Sequence, residues 1–131
     1  MANTFKAQIL TPNGPLFEGD VVSVKAPGSE GNFLMLFNHA PIVSTLAVGE
    51  VVISKPDNSH ISYAVSGGFV EMNDNVMTLL AEKAEEASII DVEAARELEA
   101  DAKARLQDKN SNREEAEKDL AIAKNKLKIA G

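Results

Sequence analysis

The chain reads as two parts: an all-β N-terminal sandwich of many short antiparallel strands, then a C-terminal antiparallel hairpin of two helices. Three observations predict this. Turn signals recur every ten residues or so through the first part, separating short runs rich in β-branched and aromatic residues. After Ser88 the apolar spacing changes from every second residue to every third and fourth. All five prolines, and every glycine but Gly131, precede Asp91. The break divides the chain into residues 1–88, the sandwich, and 89–131, the hairpin. No helix-period stretch lies between the strands, which disfavours a parallel α/β sheet.

Taken in order, Phe5, Ala7 and Ile9 alternate with Lys6 and Gln8 and make a first strand. Thr11-Pro12-Asn13-Gly14-Pro15 is a turn. Leu16 to Asp20 leads into Val21–Ala26, where Val22, Val24 and Ala26 share a face, and Pro27-Gly28 ends the run. A turn at Gly28–Gly31 opens onto five consecutive apolar residues, Phe33 to Phe37, then Asn38-His39-Ala40-Pro41 and Ile42-Val43. Successive strand side chains point to opposite faces, so an unbroken apolar run predicts that both faces are covered, one of them by core or a partner. Pro41 holds Ala40 out of the helical region and keeps the segment extended. This stretch is read as a docking surface. Val51–Ile53, His60–Val65, Phe69–Met72 and Val76–Leu80 continue the strands. Gly49, Lys55–Ser59, Gly67-Gly68 and Asn73–Asn75 punctuate them.

In the second part, Val92, Ala95, Leu98, Ala102 and Leu106 share one helical face. Asp91 is placed to cap that helix. Asp108–Asn112 is a polar break, and Ser111 with Glu114 has capping-box spacing for a second helix striped by Ala116, Leu120, Ala123 and Leu127. Glu99–Lys103, Asp101–Arg105 and Glu114–Lys118 are four-residue pairs worth ~0.2–0.5 kcal/mol each. The short break predicts an antiparallel hairpin. Its alanine-rich stripes bury little area, so the hairpin is expected to hold to the sandwich weakly and to be switchable by a partner.

Composition excludes several functions. With no cysteine, disulfides and thiolate metal sites are impossible. Two histidines make a metal cluster improbable, and a net charge of −7 disfavours a nucleic-acid partner. Residues 1–90 carry four basic side chains against ten acidic, and residues 91–131 nine against ten. No apolar run approaches the roughly 18 residues of a membrane helix. Met-Ala-Asn-Thr-Phe-Lys shows neither a signal nor a transit pattern, so a soluble chain held at a membrane only by other proteins is expected. No Gly-rich phosphate loop with Lys-Ser/Thr occurs, and Gly67-Gly68 reads as a bulge or tight turn. His39 has no nucleophile at a recognisable elbow and reads as a loop or interface histidine. His60 carries no specific role, and Glu82–Glu86 reads as a solvated linker. No catalytic residue, metal or cofactor is expected.

These residues carry a family resemblance. Gly28-Ser29-Glu30-Gly31, His39-Ala40-Pro41 followed by Thr45-Leu46 and Gly49, Ser66-Gly67-Gly68-Phe69, and Ala81-Glu82 leading to Ile90-Asp91 stand in a characteristic order. Across essentially its whole length the chain resembles the epsilon subunit of the rotary F-type ATP synthase, called delta in mitochondria. The resemblance implies a sandwich of about ten strands at the foot of the central stalk, on the gamma subunit and the membrane c-ring. It also implies a hairpin that lies compact or extends into the catalytic alpha/beta head to inhibit hydrolysis. By position, Thr11, His39 and Ser44 fall on the family's gamma-facing surface, and Phe33, Leu36 and Pro41 of the stretch read as a docking surface join them. Ser29, Glu30 and Asn32 fall in the loop that approaches the c-ring. Lys118, Lys124, Lys126 and Lys128, with Arg113 behind them, are candidates to meet the head.

Two departures bear on function. The family's Gly-Ile-Leu-Pro-Gly before His-Ala-Pro reads Leu34-Met35-Leu36-Phe37-Asn38, a bulkier loop. Some members bind ATP through Ile-Asp-x-x-Arg-Ala and a later arginine. Here Glu85, Ile90 and Asp91 remain, but Ala94 replaces the first arginine and Asp101 the second, removing the guanidinium contacts to phosphate. No tight ATP site is expected. The resemblance points to a non-catalytic rotor subunit, peripheral on the cytoplasmic face of a bacterial inner membrane. The alternative is a free-standing sandwich adaptor whose helical tail self-associates, disfavoured because the helices are short for a heptad seam.

Overall fold

A computed structural model describes residues 3–130. Gly131, and Met1 and Ala2 at the start of the segment read for targeting, lie outside the described residues. Ten strands come first: β1 (Phe5–Thr11), β2 (Gly14–Val21), β3 (Ser23–Gly28), β4 (Gly31–Leu36), β5 (Ile42–Thr45), β6 (Val48–Ser54), β7 (His60–Ser66), β8 (Gly68–Asn73), β9 (Val76–Ala81) and β10 (Ala84–Glu86). A 3-10 turn (Ala87–Ile89) then leads to α1 (Val92–Gln107) and α2 (Arg113–Ala130).

The strands form two five-stranded sheets, ordered β2-β1-β9-β8-β5 and β10-β7-β6-β3-β4. Every pairing is antiparallel except one: β1 and β9 run parallel in the middle of the first sheet. Local patterning carries no strand direction, and this pairing joins segments distant in sequence. The run from Leu16 to Ala26 is split at Val22, with β2 in one sheet and β3 in the other. Between the sheets lies one core, in which Ile9, Met35, Ile53, Met72, Met77 and Leu79 are fully buried. Each such side chain contributes about 1.5–3 kcal/mol.

The apolar run of β4 alternates after all. Met35 is buried and Phe33 packs on the core from a half-buried position, while Leu34 and Leu36 are about half exposed at 50% and 48%. Among the described residues no packed element covers the outer face of β4, an edge strand, so the core supplies one of the two expected covers and the other face is open to a partner. Gly67-Gly68 is not a bulge within a strand. It is the corner where the chain leaves the second sheet for the first, and both residues have positive φ, 83° and 120°. A Cβ on Gly68 would collide with the Leu80 carbonyl oxygen, so only glycine turns this corner. The acidic segment is likewise not a free linker: Ala84–Glu86 pairs with Tyr63–Val65 as β10.

Asp91 caps α1, its carboxylate accepting from the Ala94 amide at 3.0 Å. At α2 the cap is Asn112 rather than Ser111, its side chain accepting from the Glu115 amide at 3.1 Å, while the Ser111 amide turns back to the Asp108 carbonyl. Asp101–Arg105 forms at 2.9 Å, and the same guanidinium reaches across to Asp119 at 2.7 Å, tying the helices together. Lys118 turns to Glu82, at 3.9 Å, and away from Glu114. α1 packs chiefly on α2, and α2 on β6, β7 and the 3-10 turn.

Candidate functional site

The strand registers give the sandwich two ends. One gathers the β1–β2 turn with Thr11, the β3–β4 turn with Ser29 and Glu30, and the Gly67-Gly68 corner. The other gathers the β4–β5 loop with His39 and Pro41, the β6–β7 hairpin and the β8–β9 turn. The residues expected at one partner are therefore divided. Thr11 shares its end with Ser29, Glu30 and Asn32, while His39 and Pro41 stand at the opposite end. Ser44 lies between them on β5, opposite Val70, and its hydroxyl donates to the Thr45 carbonyl at 3.0 Å. β9, six residues long, spans roughly 20 Å between the ends at about 3.3 Å per residue.

What joins the ends is the outer face of the first sheet. Leu10 stands beside Leu80, Leu80 beside Phe69 and Phe69 beside Thr45, so three apolar side chains form one row across three strands. With Thr11, Pro12 and Gly68 they line a shallow cleft of about 390 Å³. Phe69 is 46% exposed and Val43, further along β5, 70%. The next rows are mixed: Val43, Glu71, Thr78, Gln8 and Glu18, and then Asn73, Val76, Lys6 and Asp20, the last two paired at 2.9 Å. The apolar patch thus thins toward the His39 end, where Val43 and Val76 stand exposed among polar neighbours. Leu10 and Leu80 were not singled out in the sequence and Phe69 was read only as part of a motif, although each breaks the alternation of its strand beside Ile9, Leu79 or Val70; only the register aligns the three in one row. The β4–β5 edge adds Leu34, Leu36 and Phe37, all exposed.

Ser29 and Glu30 are exposed at the tip of the β3–β4 turn, with Asn32 beside them. The Ser29 and Thr45 hydroxyls lie 2.7 Å apart, and the Ser29 amide donates to the Thr45 carbonyl, fastening this tip to the other sheet. Glu30 makes no ion pair among the described residues.

The hairpin covers the opposite side. Ala64 and Ser66 of β7 are buried beneath α2, where Ile122 is also buried, and Asn125 donates to the Gly49 carbonyl at 2.9 Å. The four lysines are not brought together. Lys126 lines a groove of about 290 Å³ between α2 and the sandwich, near Glu82 and Glu85, and Lys118 points to Glu82. Lys124 and Lys128 are exposed to solvent. Arg113 pairs with Glu117 at 3.1 Å. Of the residues expected at the family's nucleotide positions, Glu85 lines the groove, Ile90 is buried and Asp91 is committed to its cap; Ala94 is exposed and offers no charge. Asp101, in place of the later arginine, is paired with Arg105. His60 has a partner, Ser54, whose hydroxyl is 2.9 Å from Nδ1. No group of three or more potential metal ligands occurs among the described residues, and no described helix is long and apolar enough to cross a membrane.

A ten-stranded sandwich open on one face, with a pair of helices folded over the other, defines the class: an all-β body carrying a C-terminal helical hairpin. Residues 4–87 match the family described as the ATP synthase, Delta/Epsilon chain, beta-sandwich domain. The chain is 41% identical to the ATP synthase epsilon chain of Halalkalibacterium halodurans over 98% of both chains. It is 39% identical to that of Salinibacter ruber over 82% of this chain and 78% of that one. A chain in the Euglena gracilis mitochondrial ATP synthase structure (OSCP/F1/c-ring) has the same fold, with TM-score 0.84 at 23% identity over 93% of this chain and 78% of that one. The chain belongs to the delta/epsilon family of ATP synthase subunits.

Proposed function

We propose that this chain is a central-stalk subunit that docks on a gamma subunit and a c-ring, couples ring rotation to the catalytic head, and restrains ATP hydrolysis through its helical hairpin. Residues 1–88 act as the docking body and residues 89–131 as the regulator. The observation that carries the reading is an asymmetry of cover. The hairpin lies on the second sheet, and the apolar row Leu10–Leu80–Phe69 on the first is left open. A gamma subunit lying along that face would reach from Thr11 along the exposed Thr45 and Val43 of β5 to His39 and Pro41, meeting Ser44, whose side chain shares the inner face with Val70, only from the edge of the sheet. Leu36 contributes from the neighbouring edge, and Phe33 supports it from the core side. Ser29, Glu30 and Asn32 meet the c-ring from the tip. When the hairpin leaves β6 and β7, Lys118 and Lys126 lose their acidic surroundings and, with Lys124 and Lys128, become available to an acidic surface of the alpha/beta head. Membrane association runs through the complex, on the cytoplasmic face of a bacterial inner membrane. This reading includes no tight ATP site, since no arginine stands at Ala94 or Asp101 to meet the phosphates.

The test compares the full chain with a truncation after Ser88, each added to a reconstituted head containing gamma. The truncation is a fair probe because the sandwich core includes no helical residue. Both forms are expected to bind gamma one to one, and only the full chain to slow hydrolysis. Equal inhibition by the truncation would remove the hairpin as the brake. Self-association through residues 89–131 with no gamma binding would favour an adaptor.

A further inference from the structure

The β4–β5 loop is an exposed connection between two edge strands, yet it is held at one defined point. The Asn38 amide donates to Asn75 Oδ1 at 2.7 Å, and Asn75 Nδ2 donates back to Asn38 Oδ1 at 3.0 Å. Both residues sit in the left-handed region, with φ 64° and 59°, a conformation asparagine adopts far more readily than bulkier residues. Asn75 is itself anchored. With Asp74 (φ 51°) it forms the two-residue turn between β8 and β9, of the twisted kind that hairpins favour, and its carbonyl accepts from the Lys6 amide at 3.1 Å. The loop is tightened further by the His39 amide donating to the Leu36 carbonyl at 3.0 Å. A rigid hairpin of the first sheet thereby grips the loop that leads away from the second.

We propose that Asn38 and Asn75 form an amide clasp that presets the Phe37–Pro41 loop in its docking conformation, making Asn75 a positioning residue for partner binding. The inference rests on the reading that His39 and Pro41 face a gamma subunit. Neither asparagine need touch the partner. The clasp acts by raising the fraction of free chains whose loop is already competent to bind, and apparent affinity falls in proportion when that fraction falls. Such a loss appears in the association rate, whereas loss of a direct contact appears chiefly in dissociation.

The experiment uses the full chain and three variants. Asn75→Ala removes both bonds. Asn75→Asp keeps an acceptor for the Asn38 amide, and Asn38→Gly keeps that amide bond and the positive φ. Amide hydrogen exchange at Asn38 reads the clasp without any partner, and association and dissociation with purified gamma read its consequence. Asn75→Ala is expected to speed Asn38 exchange and slow association about three- to tenfold with dissociation nearly unchanged, while alanine at a positive φ lowers the melting temperature by a few degrees, a strain that Asn75→Asp and Asn38→Gly largely avoid. The other two variants should fall between it and the parent. Faster exchange with an unchanged association rate would overturn the proposal, as would an effect confined to dissociation or no effect on exchange. If the parent chain does not bind gamma at all, the docking reading fails and the positioning role falls with it, while protection at Asn38 would still show the clasp itself.

Discussion

The sandwich and the hairpin are packed on different scales. Between the sheets, isoleucine, leucine, valine and methionine are fully buried in one continuous core. Between the helices, the fully or nearly fully buried residues are alanines: Ala95 and Ala102 on α1, Ala116 and Ala123 on α2. Alanines allow close approach but remove little apolar surface from water, so the hairpin relies on polar fastenings such as the Arg105 bridge and the Asn125 bond. Only α2 leans substantially on the sandwich. One region is held by burial that nothing short of unfolding disrupts; the other is held by a few contacts that a competing partner could replace. The difference is the one the proposed roles call for, a body that keeps its shape and an arm that can leave it.

The largest test of this contrast is Ile53→Ala. Ile53 is fully buried between the sheets, and the cavity should cost about 2–5 kcal/mol, lowering the denaturation midpoint of the whole sandwich. A loss below about 1 kcal/mol would mean the core is less tightly built than its burial indicates. A smaller effect is expected of Asn125→Ala, which leaves the Gly49 carbonyl without its partner and should weaken docking of α2 by about 0.5–1.5 kcal/mol. Exchange of α2 amides should quicken several-fold while the sandwich midpoint stays put; if both shift together, the two regions are one cooperative unit and the contrast fails.

The smallest effect concerns alkaline pH. Tyr63 is the only tyrosine, and its phenol is pushed above its ordinary value first by burial and then by the Glu86 charge on β10. A group whose folded pKa is raised contributes stability that is complete below its unfolded pKa, about 10, and that is lost as pH climbs through the folded value. Tyr63→Phe should therefore flatten the alkaline decline of the sandwich, read by denaturant titration at pH 9 to 11. A decline equally steep in the variant would assign it to the lysines instead.

Much of this was legible beforehand. The period change after Ser88, the Asp91 cap, the polar break and most strand positions are consequences of neighbours in sequence, and they stand as read. The misreadings have a common origin. The run Phe33–Phe37 asks for cover by core or a partner on each face; the core covers one, and apolar side chains alone do not say that β4 lies at an edge with its other face open. Glu82–Glu86 looked like a linker because its charges mask a three-residue strand that exists only by pairing with β7. Ser111 looked like the cap because capping-box spacing fits it, but Asn112, one residue later, reaches the Glu115 amide.

By itself the sequence determined the kinds of element and their order, since backbone periodicity and turn chemistry act over a few residues. It also determined the absence of thiol chemistry and of arginines at the nucleotide positions, because these are matters of which side chains exist. Tertiary structure alone decided which surfaces remain open. The parallel pairing of β1 with β9 aligns Leu10, Leu80 and Phe69, the sandwich sends Thr11 and His39 to opposite ends, and α2 settles on β6 and β7. These outcomes depend on contacts between residues far apart in the chain, whose register no local pattern specifies.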